Sequence, residues 1–212
     1  GRSLQFADFL QLRADAQMLG EGVSTLPDGS VFAGSFVNGA LNGKGKETNP
    51  SGYGYEGDWV MGVKEGVGKI TFPGGATYEG AMLQGLRAGK GVLQSPDGLG
   101  YDGDWAEGQM NGQGKLIQPN GDSYEGGFRN GLRDGEGTLL HKGGDTYSGG
   151  WKNDLRHGQG TFSAADGFRY EGSWVAGRMT GTGSITYPDG AVYVGGLKDD
   201  QPQGKGAITY PD

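Results

Sequence analysis

An aromatic residue recurs every 23 residues along most of this chain. The aromatic positions are Phe32, Tyr55, Tyr78, Tyr101, Tyr124, Tyr147, Tyr170 and Tyr193. Because the register does not slip by a single residue, each 23-residue stretch is expected to be one module that tolerates no insertion and stacks on its neighbours. Stacked modules present extended surfaces, so the period argues against a single deep pocket.

The spacing inside each repeat is that of β-strands. We count positions from the aromatic residue, which is position 0; glycine then holds positions 2, 11 and 13 in all eight repeats. Alternate residues of a strand share a face, and the spacings from position 0 to 2 and from position 11 to 13 are both even. We therefore predict two strands per repeat, with positions 0, 2, 4, 11, 13 and 15 on one face and the glycines leaving room for aromatic rings to lie across the backbone. Position 4 is bulky throughout, being Phe36, Trp59, Met82, Trp105, Phe128, Trp151, Trp174 and Leu197.

Two turns connect these strands. Position 7 is glycine in six repeats and aspartate at Asp154 and Asp200, which is typical of a turn that needs positive φ. The second turn often contains Pro-Asp-Gly or Pro-Asn-Gly, a hairpin signal. The chain is therefore predicted to form a meander of β-hairpins.

The motif Tyr-x-Gly-x-Trp-x-x-Gly-x-x-x-Gly-x-Gly, with its 23-residue period, closely resembles the MORN repeat family. The resemblance covers residues 32–212, with repeats beginning at residues 32, 55, 78, 101, 124, 147, 170 and 193, and a half repeat at 20–31. It implies an all-β fold, an elongated single-layer antiparallel sheet of stacked hairpins. It also implies a role in organising cytoskeletal or membrane-proximal complexes.

Residues 1–19 fall outside the repeat pattern. The spacing of apolar residues from Ser3 to Met18 predicts a short helix. We expect this helix to cap the first hairpin, as repeat arrays require, with a partner-binding or oligomerising helix as the alternative. The first residues could equally be a remnant of expression.

The composition favours a ladder of aromatic rings over a conventional core. The chain has 48 glycines in 212 residues and only 33% apolar residues. Stability should then come from strand pairing between neighbouring repeats and from stacked rings. The predicted structural ladder consists of Tyr55, Trp59, Tyr78, Tyr101, Trp105, Tyr124, Phe128, Tyr147, Trp151, Tyr170, Trp174 and Tyr193.

Position 17 varies more than a purely structural position should. It is Leu26, Asn49, Phe72, Ser95, Gln118, His141, Ala164, Tyr187 and Tyr210 in turn. We predict that this column lines a groove for a partner; the alternative is exposed padding. The predicted groove residues are Leu26, Phe72, Gln118, His141, Tyr187 and Tyr210.

Charged residues differ between the two kinds of turn. Near the position 7 turn lie Lys64, Arg87, Arg133, Arg156 and Arg178. The other turn carries Asp28, Asp97, Asp166, Asp189 and Asp212. Such edges could guide association side by side or simply keep the edges solvated.

Several functions are disfavoured by the sequence. The chain has no cysteine, and neither histidine has a second ligand at metal-binding spacing, so we expect no metal site and no cofactor. No nucleophile motif is present, and the carboxylates recur too regularly to be a catalytic pair, so we expect no enzyme and no catalytic residues. A net charge of −7 argues against nucleic-acid binding, and the lack of a basic run makes membrane contact weak or indirect.

Three hypotheses on function follow. The leading one is a cytoplasmic protein-interaction scaffold that holds a partner segment in an aromatic-lined groove and reaches the cytoskeleton or membranes through partners. The second is a structural rod that forms a homodimer through a terminal repeat by β-augmentation. The third is recognition of a lipid headgroup or small ligand by stacked aromatic rings.

Overall fold

The computed structural model describes residues 18–212 and contains 17 β-strands. Each full repeat contributes a seven-residue strand followed by a nine-residue strand, and the half repeat contributes one strand of six residues. The strands are β1 Gly20–Thr25, β2 Val31–Val37, β3 Ala40–Thr48, β4 Gly54–Val60, β5 Val63–Thr71, β6 Thr77–Leu83, β7 Leu86–Gln94, β8 Gly100–Ala106, β9 Gln109–Ile117, β10 Ser123–Arg129, β11 Leu132–Leu140, β12 Thr146–Lys152, β13 Leu155–Ser163, β14 Arg169–Val175, β15 Arg178–Thr186, β16 Val192–Lys198 and β17 Gln201–Thr209.

The chain divides into two compact units. The first contains residues up to 96 together with 104–109, and the second contains residues 97–103 together with 110–212. In the first unit β1 to β7 pair antiparallel in chain order. In the second unit β9 to β17 do the same. The predicted all-β meander of hairpins is confirmed, whereas the predicted helix lies outside the described residues except for Met18.

The strand register places the predicted positions opposite one another. Tyr55 pairs with Ile70 inside its hairpin, and Ile70 pairs with Tyr78 of the next repeat. Gly57 pairs with Gly68 in the same way. A Cβ built on Gly68 would lie 2.3 Å from the ring of Tyr55, so the ring rests on the glycine backbone. This explains the glycine at position 13, and we call the side of the sheet that carries these rings the aromatic face.

A β-bulge that the sequence did not indicate interrupts the first hairpin of each full repeat for which a pairing is described. In repeat 2 the register shifts between Gly57, which pairs with Gly68, and Trp59, which pairs with Lys64. Asp58 therefore lies opposite residues 65–67 and has no regular partner within its own hairpin. The hydroxyl of Tyr55 donates to the carbonyl of Asp58 at 2.9 Å. The tyrosine thus satisfies a carbonyl at the bulge, where regular pairing is interrupted.

Both residues of the position 7 turn have positive φ. In repeat 2, Met61 has φ 45° and Gly62 has φ 83°, the conformation of a type I′ hairpin turn. The N–H of Gly62 also donates to the carbonyl of Leu41 in the preceding repeat at 2.7 Å. The turn therefore reverses the chain and joins neighbouring repeats.

Aspartate at position 7 adds a second bond between repeats. Asp154 has φ 67°, as the sequence pattern predicted for this position. Its carboxylate accepts the N–H of Arg133 at 2.8 Å, and Asp200 accepts the N–H of Met179 at 2.9 Å. These two aspartates reach positive φ less easily than glycine does. Each compensates with a side-chain hydrogen bond to the preceding repeat, in addition to the backbone bond from position 7.

Candidate functional site

Buried tyrosines form the base of the aromatic face. Tyr78 and Tyr170 are fully buried, and Tyr55, Tyr101 and Tyr147 are exposed by only 1%. Burial raises the pKa of Tyr124 to about 12, since water no longer stabilises the phenolate. All twelve residues of the predicted ladder lie buried.

The rings of the ladder pack edge to face, inside and between repeats. Tyr147 meets Trp151 of its own repeat at a centroid distance of 5.1 Å and Trp174 of the next repeat at 5.2 Å. The interplanar angles are 88° and 87°, the T-shaped geometry that aromatic quadrupoles favour. Tyr124 likewise contacts Phe128 and Trp151, so each of these two tyrosines joins two successive position 4 side chains.

Cations at position 9 cover this ladder, which corrects the interpretation of these residues as a solvated edge. The guanidinium carbon of Arg133 lies 4.2 Å from the ring centroid of Trp151, and that of Arg156 lies 4.3 Å from Trp174. Arg87 stacks on Trp105 in the same way at 4.4 Å. Arg178 alone of the predicted group has a side chain that is 62% exposed. The charge of these residues was predictable from the sequence, whereas the position of their side chains on the same face as the rings was not predicted.

The stacked cations differ in their counterions. Arg133 donates from Nε to Oδ1 of Asp154 at 3.1 Å. Arg87 and Arg156 instead donate from Nη2 to backbone carbonyls, of Gly108 at 2.6 Å and Gly177 at 3.1 Å. Burial lowers the pKa of both Arg87 and Arg156. Within the described residues, no carboxylate lies within ion-pair distance of either one.

In repeat 2 a lysine replaces arginine, and its partners change with it. Nζ of Lys64 lies 2.6 Å from Oε2 of Glu47 and donates to the hydroxyl of Tyr53 at 2.8 Å. Both charged side chains are only 17% exposed. Burial alone would lower the pKa of Lys64, but the bonds to Glu47 and Tyr53 outweigh it and the pKa is raised. Glu47 holds position 15, which is apolar in the other repeats, so the polar pair is a local substitution in the ladder.

A groove of about 460 Å³ opens on the aromatic face of the second unit. Leu139, Phe162 and the buried ring of Trp151 provide its apolar part. Its polar lining includes Gln118, His141, Arg133 and Arg156. Nδ1 of His141 lies 3.0 Å from Oδ2 of Asp122. The N–H of Lys142 and then His141 lower the pKa of Asp122.

The first unit has a more apolar cavity of about 370 Å³. It is lined by Leu26, Phe32, Phe36, Leu41 and Trp59, among others. Nε1 of Trp59 is buried without a hydrogen-bond partner among residues 18–212, whereas Nε1 of Trp151 donates to a backbone carbonyl at 3.1 Å.

The residues of the predicted groove column have different surroundings within the two units. Gln118 and His141 line the groove of the second unit, and Leu26 lines the cavity of the first. Phe72 lies against Tyr53 and Arg87, and Tyr187 packs against Phe168 at a centroid distance of 6.2 Å. Tyr210 is 68% exposed and lines neither cavity.

The repeat pattern decides the family. The MORN repeat model matches residues 32–52, 55–77, 78–100, 101–123, 124–146, 147–169, 170–192 and 193–212. The chain belongs to the MORN repeat family. No curated protein sequence gives a significant match to it.

Three solved structures are similar to this chain to different degrees. The G-box domain of the microcephaly protein CPAP is 16% identical with a TM-score of 0.50, over 91% of this chain and 100% of that domain. The TCP domain of Drosophila melanogaster SAS-4, in complex with a proline-rich motif of Ana2, is 13% identical with a TM-score of 0.43, covering 77% and 88%. The TCP10 domain of Danio rerio CPAP, in complex with a STIL peptide, is 19% identical with a TM-score of 0.34, covering 90% and 99%. The first of these likenesses supports the fold of stacked antiparallel strands.

Neither a metal-ligand cluster nor a membrane-spanning helix occurs among the described residues. Residues 18–212 contain no group of three or more histidine, aspartate or glutamate side chains placed to hold a metal ion. The same residues contain no helix with the length and apolar character needed to cross a membrane.

Proposed function

We propose that this MORN protein is a non-enzymatic interaction scaffold that binds a segment of a partner protein on its aromatic face. The observation that carries the proposal is the groove of the second unit, where Leu139 and Phe162 lie beside Gln118 and His141. Apolar surface provides binding energy, and a few fixed polar groups provide orientation. Membership in the MORN family supports a scaffolding role.

The lining of the groove favours binding over catalysis. It includes no serine, threonine, cysteine or lysine, and the hydroxyl of its tyrosine, Tyr147, donates to the carbonyl of Gly150 at 2.8 Å. A nucleophile needs a base within hydrogen-bond reach. We further propose a cytoplasmic location, with cytoskeletal or membrane association through the bound partner, since the net charge of −7 does not favour anionic lipids.

Selection from a random peptide library displayed on phage tests this proposal and does not require the partner to be identified first. The wild-type chain should enrich peptides that bind with a measurable Kd in solution. The groove variant Leu139→Ala with His141→Ala should weaken their binding at least tenfold, because it removes part of the apolar floor and one polar wall.

The same strand offers a matched control. Thr138 and Leu140 alternate with the groove residues and are both exposed, on the opposite face. The variant Thr138→Ala with Leu140→Ala should bind the selected peptides like wild type, and circular dichroism should show both variants folded. Failure to enrich any peptide, or equal loss of binding in both variants, would contradict a groove on the aromatic face.

A further inference from the structure

We infer that the segment bound in the groove of the second unit is acidic, and that one of its carboxylates pairs with Arg156. This inference rests on the proposed function, because it specifies the chemistry of the partner at the same groove.

The guanidinium of Arg156 is held in place before any partner arrives. It stacks over Trp174 at 4.3 Å and lies 5.8 Å from the centroid of Phe162. Its Nη2 donates to the carbonyl of Gly177 at 3.1 Å. A guanidinium has five N–H donors, so this single bond leaves donors for a carboxylate. A fixed planar donor group loses little conformational entropy when it forms a bidentate pair.

Among the residues that the structure describes, no carboxylate lies within ion-pair distance of Arg156, although its side chain is half-buried. Burial has the larger effect and lowers the pKa of Arg156, although Asp200 attracts the guanidinium from farther away. Arg133, stacked in the same way in the preceding repeat, is paired with Asp154. Partial burial of a charge is unfavourable unless the charge is paired. A carboxylate from a partner would form an ion pair with Arg156, as the carboxylate of Asp154 does with Arg133.

The surroundings of Arg156 narrow the partner further. Leu139 and Phe162 form the adjacent apolar floor. An aspartate or glutamate next to a large apolar residue would satisfy both features. The first unit repeats the arrangement independently, since Arg87 stacks on Trp105 and binds the carbonyl of Gly108, with no carboxylate at ion-pair distance among residues 18–212.

The experiment compares what the wild-type chain and Arg156→Gln select from the same random octapeptide phage library. Wild type should enrich aspartate and glutamate at one position at least threefold over the input library, and Arg156→Gln should not. Changing that acidic residue to its amide should weaken a selected peptide about tenfold on wild type and less than twofold on Arg156→Gln.

Further variants separate a local pair from a general effect of charge. Arg156→Lys should retain part of the affinity, whereas Arg178→Gln, which removes one positive charge at an exposed position, should change it less than twofold.

Asp154→Asn should act in the opposite direction and raise the affinity for acidic peptides. It keeps the oxygen that accepts the N–H groups of Arg133 and suits the positive φ of this position, but it removes the negative charge beside the guanidinium of Arg133, so acidic peptides should bind about threefold more tightly. Asp199→Asn, at a 56% exposed carboxylate, is its control and should leave the affinity unchanged.

The outcomes distinguish the inference from the proposed function. Enriched peptides without an acidic position would overturn the inference and leave the groove as a binding site. No enriched peptides would overturn both. Arg156-dependent sedimentation with phosphatidylserine vesicles, in the absence of acidic peptides, would overturn the inference in favour of a lipid headgroup.

Discussion

At the scale of single residues, position 6 adopts a conformation that most of its side chains disfavour. Its φ lies between 45° and 50° in all eight repeats, yet the residue is never glycine. Asparagine and aspartate tolerate this region, but methionine, glutamine, glutamate and alanine occupy it in four repeats. The type I′ turn imposes the conformation, and the bond from position 7 to the preceding repeat holds it.

Met61→Asn should therefore stabilise the chain by about 1 kcal/mol, because asparagine reaches the left-handed region at lower cost. Met61 has φ 45° and is 50% exposed, so its replacement loses little apolar burial. The shift of the urea midpoint, followed by tryptophan fluorescence, measures the effect. Met61→Ala is the matched control, because it removes the same side chain without the tolerance of asparagine. An equal gain from Met61→Ala would show that relief of φ strain is not the cause.

At the scale of the hairpin, the fit between ring and glycine sets the strand pairing. A Cβ on Gly137 would lie 2.2 Å from the hydroxyl oxygen and 2.4 Å from Cζ of Tyr124. The tyrosine cannot retreat easily, because its hydroxyl donates to the carbonyl of Gly127 at 2.9 Å and its ring packs against Phe128 and Trp151. The period of 23 residues persists because each tyrosine ring packs against a glycine that must lie 13 residues later in the same repeat.

Gly137→Ala should destabilise the chain by about 3 kcal/mol, as expected for overpacking of a closely fitted site. Gly143, six residues later, is a matched control, since nothing lies within 4 Å of its Cβ position and its φ is not positive. Gly143→Ala should leave stability unchanged or raise it slightly, because alanine restricts the unfolded chain. Urea denaturation of the two variants gives the comparison. A similar loss for both would mean that loss of flexibility, not the contact with Tyr124, explains the glycine.

The hairpin also shows where sequence reasoning succeeds and where it stops. Even spacing placed the tyrosines, the position 4 side chains and the glycines at positions 2 and 13 on one face correctly, because the strand period alone fixes that assignment. Position 11 differs, since a Cβ on Gly66 would lie 2.8 Å from Cβ of Asp58 and not against a ring. The bulge after position 2 left no local signal. Position 9 has the same parity as positions 13 and 15 of the second strand, so strand spacing could have placed cations such as Arg133 on the aromatic face. The ion pair of Arg133 with Asp154 joins side chains 21 residues apart, so only the stacked structure reveals it. That Arg156 has no such ion pair is likewise visible only in the structure, and the candidate site depends on this difference between the two arginines.

At the scale of the whole molecule, the tyrosine ladder couples stability to pH. Burial raises the pKa of Tyr55, Tyr124 and Tyr147 to about 12, and raises that of Tyr78 and Tyr170 in the same direction. An unfolded tyrosine has a pKa of about 10. Between these values the unfolded chain releases protons that the folded chain retains. Stability contributed by the ladder is therefore complete below pH 10 and is lost as the pH rises towards 12.

The free energy of unfolding should fall steeply between about pH 10 and pH 12, because several tyrosines contribute to the same slope. Urea unfolding at each pH, followed by circular dichroism, measures the free energy, and absorbance of phenolate at about 295 nm should rise together with the loss of structure. Tyr147→Phe removes one titrating group of the ladder and should make the slope shallower, although it also lowers stability at neutral pH by removing the bond to the carbonyl of Gly150. Tyr210→Phe changes an exposed tyrosine and should leave the slope as it is. A free energy that stays constant from about pH 10 to pH 12 would show that the buried rings do not resist ionisation in the folded chain, contrary to their burial and mutual packing.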